Sequence, residues 1–268
     1  MIQNDDLPDA NWDRTVRLLE RVKWQIDRRY LAGHGWIEYF KDRHIIGRDR
    51  PVVEGVYLGL FAREAIVVSE RDGVLMERYA TLRARLRRFF WQTKPDELSV
   101  IRTVHAFVRE QLPGGVSATE AIVARHMRAD DVDRKIDLTV FLGGRAGVCR
   151  HRALLGAYFL EKLIKDKILD GTCSIDRSEM NGGGHAWARF VSRKTGRILI
   201  SDAGLDECGD IFEVEQKWGY RRPDDKPPIV GPIPSPVEGA SLFDEIDATI
   251  AVAGLLWAAW HFGFSRLF

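Results

Sequence analysis

The sequence predicts an α+β chain, with helices first and an antiparallel sheet late. Three observations carry this. Apolar residues recur at helical spacing from Trp12 to Ile164. From about Gly171 the pattern changes to the short alternating runs HAWARFVS and GRILISDAG, split by the turn Lys194-Thr195-Gly196. Between the two regimes, a glycine-rich run (Gly143-Gly144-Arg145-Ala146-Gly147) leads into a helical face that begins at Cys149. The chain has 268 residues, 45% hydrophobic and 29% charged, which suits one large domain with modest additions.

Residues 1–94 read as a helical N-terminal region. Trp12, Val16, Leu19, Val22, Ile26 and Tyr30 share one helical face, and Leu75, Tyr79, Leu82, Leu86 and Phe89 share another. Val52 to Val68 is apolar enough for either a buried helix or a strand. Arg83, Arg85, Arg87 and Arg88 read as a solvated basic face. A core follows over 95–221. Pro95 opens a helix whose buried stripe is Val100, Ile101, Val104, Phe107 and Val108, ended by Pro113-Gly114-Gly115. Ser117 and Glu120 have capping-box spacing, so a short helix is expected over 119–127. RADDVDRKID reads as a loop. Cys149, Ala153, Ala157, Leu160 and Ile164 form the face of the next helix, TCSID is a further strand, and the two alternating runs complete the sheet. Residues 222–239 hold six of the ten prolines and read as an extended linker. Residues 240–268 include TIAVAGLLWAAW, read as an apolar helix docked on the core or a partner. A membrane-associated tail is the alternative, since the run is shorter than the roughly 20 apolar residues that span a bilayer.

Forty basic and thirty-nine acidic residues leave a net charge of +1, which argues against a dedicated nucleic-acid binder. Three cysteines are too few and odd in number for a disulfide framework, and the polar start MIQNDDLPDANWD lacks the design of a secretory signal. Both point to a reducing, cytoplasmic setting where a free thiol survives.

Cys149 sits where a nucleophilic thiol belongs. A helix start offers unpaired amides and the positive end of the peptide dipoles, which favour thiolate and can receive an oxyanion. Arg150, His151 and Arg152 add positive charge in the same turn. A thiolate needs a base, and His185, which opens a strand after Asn181-Gly182-Gly183-Gly184, is the candidate. Asp202 ends the next strand. A hairpin about Lys194-Thr195-Gly196 brings residues near 186 and near 204 opposite each other, so Asp202 can orient the imidazole. A zinc site built from Cys149, His151, His185, Cys173 and Cys208 lacks paired ligands at the usual spacing. Cys173 and Cys208 read as packing residues, His105 and His126 as surface or boundary residues, and Trp187 as core or a wall of the substrate cleft.

GRAGVCRHRALLGAYFLEKL, GGGHAWARF and RILISDAG, in that order, resemble the three core blocks of the transglutaminase-like superfamily over about Asp96 to Leu205. The GVCRHRALL string is similar to the domain preceding some plant Raf-like kinases. The resemblance implies a papain-like core, with Cys149 as nucleophile, His185 as general base and Asp202 as orienting acid. It implies a peptide or protein substrate and thioester chemistry: amide hydrolysis first, glutamine acyl transfer or deamidation as the alternative. A retained fold that binds peptides without turnover is a third possibility. Neither a metal nor another cofactor is expected. Two departures stand out. Ile200-Ser201 replaces the aromatic residue often found before the final Asp. The oxyanion side chain has only Trp91, Gln92 and Gln111 as candidates.

Overall fold

The computed structural model describes residues 25–59, 63–89, 95–127, 134–180, 183–215 and 218–227. Trp12, Val16, Leu19, Val22, Trp91 and Gln92, most of the linker and all of 240–268 lie outside the described residues. The fold is mixed α+β, and among the described residues it has five helices.

The described part of the N-terminal region corrects the helical expectation. Strands β1 (Ile26–Leu31), β2 (Gly35–Phe40) and β3 (Arg43–His44) form an antiparallel sheet. Ile26 pairs with Phe40 and Leu31 with Gly35, so Ile26 and Tyr30 are strand residues. Gly33 carries the turn at a φ of 82°, which a side chain rarely adopts. Two stretches of the apolar segment after Val52 are strand: β4 (Val56–Leu58) and β5 (Ala65–Val67), both buried throughout. β5 pairs in parallel with β6 (Lys135–Asp137), so part of RADDVDRKID is strand and not loop.

The first helix, α1 (Val74–Phe89), buries Leu75, Tyr79, Leu82 and Leu86, while Phe89 is exposed. Its arginines are more than a solvated face: Arg83 meets Asp166 at 3.0 Å and Arg85 binds both oxygens of Glu110. Asp96, not Pro95, starts α2 (Glu97–Gln111), accepting the Ser99 amide at 3.0 Å as an N-cap. Helix α3 (Val116–His126) begins three residues earlier than the capping-box spacing implied, because Gly115 takes the cap position. A short α4 (Leu138–Gly143) precedes α5 (Cys149–Lys165).

The late sheet is antiparallel, in the order β10 (Glu207–Asp210), β9 (Ile198–Asp202), β8 (Gly183–Ser192), β7 (Gly171–Met180). Gly183 and Gly184 belong to β8, paired with Met180 and Glu179, so they extend the sheet instead of forming an open loop. β8 and β9 pair Ala188 with Ser201 about the anticipated turn. One face of the sheet gives Ala186, Ala188, Phe190 and Leu199 to the main core, packed with α2 and α5. The other face buries Trp187, Ile198 and Ile200 with Ile211 and Tyr220. Burial on both faces explains why β9 is apolar throughout Ile198–Ile200. No helix among the described residues is long and apolar enough to cross a membrane.

Candidate active site

Cys149 is the first residue of α5, after the N-cap Val148. Its thiol is half-buried, with Sγ 4.0 Å from the Gly184 carbonyl oxygen. The amides at this helix start precede the first helical hydrogen bonds, so they remain available to an incoming oxygen. His151 turns back to cap the helix: its Nδ1 accepts from the Val148 amide at 3.3 Å.

The hairpin brings the remaining two residues to the same place. His185 Nε2 and Asp202 Oδ2 are 2.6 Å apart, and His185 lies close enough to Cys149 for each to shift the other's pKa. Asp202 is fully buried, and donors satisfy both its oxygens. Tyr220 Oη–H donates to Oδ2 at 2.8 Å, and the amides of Gly204 and Leu205 donate to Oδ1 at 3.0 and 3.1 Å. Together with the His185 contact, these bonds hold the buried side chain in a fixed orientation.

The charges of the pair support each other. Burial works against a thiolate at Cys149. Hydrogen bonding and charge from His185, the Ala186 amide and the Arg150 charge outweigh it, and the thiol pKa falls below its ordinary value. Burial likewise opposes a charged His185, yet the bonds to Asp202 and Cys149 raise its pKa to about 9. Each group thus favours the charged form of the other, the imidazole drawing the thiol pKa down and the thiol drawing the imidazole pKa up.

Three aromatic rings enclose the imidazole and its carboxylate. Trp218 lies 4.9 Å from His185 between ring centroids, and Trp187 stacks at 6.2 Å. Tyr220 meets Trp187 edge-on at 5.0 Å. Excluding water from this pocket strengthens the His185–Asp202 bond. Trp218 and Tyr220 were invisible to motif reasoning, because they act from a segment well after the third block.

That segment also corrects the linker expectation at its start. The Arg222 side chain is 8% exposed and donates to Asp176 Oδ2 at 2.7 Å, to Ser174 Oγ at 2.9 Å and to Asp49 Oδ1 at 3.1 Å. Arg189 binds Asp225 on the same stretch at 3.0 Å. Residues 218–227 therefore form a strap fixed to β7 and β8.

No family model, curated protein or solved structure matches this chain. The geometry alone therefore relates these residues to chemistry.

The other charged residues beside Cys149 have separate tasks. Arg150 pairs with buried Glu64 through Nε at 3.0 Å, and His151 Nε2 lies 3.3 Å from the same oxygen. His151 is fully buried against Phe141, with ring centroids 4.0 Å apart, and faces away from the thiol. Cys173 donates to the Ala157 carbonyl, and burial pushes the thiols of Cys173 and Cys208 up, Cys208 to about 12. No cluster of three or more His, Cys, Asp or Glu residues among those described is placed to hold a metal. His105 is no surface residue: it is buried and joins Ser201 Oγ at 3.2 Å to Asp206 Oδ1 at 3.1 Å. His126 caps its own helix through the Ile122 carbonyl at 2.9 Å. Of the oxyanion candidates, Gln111 closes α2, and the other two lie outside the described residues.

Proposed function

We propose that this chain is a thiol-dependent hydrolase of amide bonds in peptides or proteins, built on a papain-like core of the transglutaminase-like kind. The observation that carries the proposal is the His185–Asp202 bond of 2.6 Å beside a half-exposed thiol at a helix start. The thiolate of Cys149 attacks the amide carbonyl carbon, and the amides at the start of α5 receive the developing oxyanion. His185 Nδ1 then gives its proton to the leaving nitrogen, while Asp202 keeps the ring oriented. Water, deprotonated by the now neutral His185, opens the thioester and releases the acid.

Hydrolysis is favoured over acyl transfer by the open cleft that reaches the turn at Gly204, next to the thiol, with Arg109, Glu110, Arg152 and Asp206 among its lining residues. Transfer needs walls that keep water from the thioester. A binding module without turnover has no use for a thiol aligned with an oriented imidazole.

The test is the pH dependence of Cys149 alkylation by iodoacetamide, read by mass spectrometry in the wild type and in His185→Ala. A thiolate-like rate well below the free-cysteine pKa of about 8.5, lost in the variant, is the expected result. A thiol indifferent to His185 would overturn the proposal.

A further inference from the structure

We propose that Arg152 and the cleft it borders form a carboxylate-binding subsite beside Cys149, selecting amides flanked by an acidic side chain or a free chain terminus. This rests on the hydrolase proposal and names the substrate class for that same site.

The cleft holds roughly 450 Å³ and is lined by residues from α2, α5 and the turn after β9. That turn places it against the reacting groups. A side chain at Gly204 would stand 3.3 Å from Cys149 Cβ and 3.0 Å from His185 Cε1. Arg152 lies three residues beyond Cys149 on α5, so the two side chains share a helix face. Its Nη1 donates to the Ala203 carbonyl at 3.2 Å, one residue before Gly204.

The other charges in the cleft already have partners. Arg85 holds Glu110 bidentately at 2.7 and 2.6 Å. Asp206 takes Arg109, and His105 at 3.1 Å. Arg152 differs: its partners among the described residues are the carbonyls of Leu112 (3.0 Å), Ala203 (3.2 Å), Pro113 and Gly114 (both 3.4 Å). Carbonyls orient a guanidinium without neutralising it. Burial pushes its pKa down, with Arg109 adding repulsion, and the charges of Cys149 and Asp202 offset this only in part. A half-buried cation with no carboxylate among its hydrogen-bond partners, bordering the cleft, is matched by a ligand carboxylate, which the remaining Nη1–H can meet in a charge-assisted contact.

The experiment uses the full chain and reads protection of Cys149 from iodoacetamide by three isosteric ligands. N-acetylglutamate α-amide carries a side-chain carboxylate, N-acetylglutamine a terminal one, and N-acetylglutamine amide none. At equal concentration, at least one acid is expected to slow alkylation about threefold more than the neutral ligand. Which acid does so separates an acidic side chain from a chain terminus as the source. Arg152→Gln should abolish the difference, and Arg152→Lys should retain part of it. Equal protection by all three ligands, protection by none, or a preference that survives Arg152→Gln would overturn the subsite. Because Arg152 also fastens the loop after α2, Arg152→Gln can fail to fold, and the wild-type series then decides alone. Protection is read on the thiol whether or not His185 activates it. Failure of the subsite is thus distinct from a thiol that ignores His185→Ala.

Discussion

Gly204→Ala probes how tightly the three side chains of the candidate site are seated. A Cβ at this position would lie 3.0 Å from His185 Cε1, 3.2 Å from Asp202 Oδ1 and 3.3 Å from Cys149 Cβ. Carbon atoms rest at about 3.5 Å or more, so His185 has to retreat by roughly half an ångström. Asp202 cannot follow, since four donors and complete burial pin it. The added methyl should cost about 1–3 kcal/mol of stability, as overpacking does in a filled site. Misplacement of this size should slow alkylation at pH 6 about tenfold, given that 1 Å can cost about a hundredfold. Urea denaturation followed by circular dichroism gives the first quantity, and labelling by iodoacetamide the second. Gly143→Ala is the control: nothing lies within 4 Å of its added Cβ, so stability should hold or rise by about 0.4–1 kcal/mol. If Gly204→Ala labels at the wild-type rate with unchanged stability, the packing around the triad is not what fixes its geometry.

Tyr220→Phe removes one of four donors to a buried carboxylate and should cost about 1–3 kcal/mol in urea denaturation, with Cys149 still labelled at pH 6. Arg222→Leu leaves the buried Asp176 with Ser174 at 3.0 Å and Arg189 at 3.8 Å. It should cost about 3 kcal/mol and red-shift tryptophan fluorescence as Trp218 is released from His185. Glu64, held to about 2 by Arg150 and His151 against the cost of burial, is a carboxylate with a depressed pKa. Its contribution is present above the unfolded value of about 4.5 and is lost as pH falls through about 2, roughly 3 kcal/mol in all. Acid titration of stability in Glu64→Gln should lack that decline. His185 has the opposite sign. Its charge adds stability below about pH 6.5, lost as pH rises through about 9, so the gap between wild type and His185→Ala should narrow across that window.

The site was legible where chemistry and local structure coincide. Cys149 follows a glycine run and starts a helical face, and His185 and Asp202 flank a hairpin whose turn residues announce it. The N-terminal strands were misread for a physical reason. Ile26 and Tyr30 are four apart and fit a helix face, but the chain reverses at Gly33, and pairing with β2 overrides the local periodicity. β6 escaped notice because its partner β5 lies about seventy residues earlier, and a short charged strand has no pattern of its own. Trp218, Tyr220 and Arg222 touch the site only through tertiary packing. A tryptophan and a tyrosine amid charged residues look like any surface turn.

The order of synthesis gives the strap a further meaning. Cys149, His185 and Asp202 all leave the ribosome before Trp218, Tyr220 and Arg222. A nascent chain thus carries Cys149 and His185 before it carries the Trp218 ring and the Tyr220 hydroxyl that pack on His185 and Asp202. Tyr220 completes the donors around Asp202, so a chain cut just after β10 keeps Cys149, His185 and Asp202 but loses the rings over two of them.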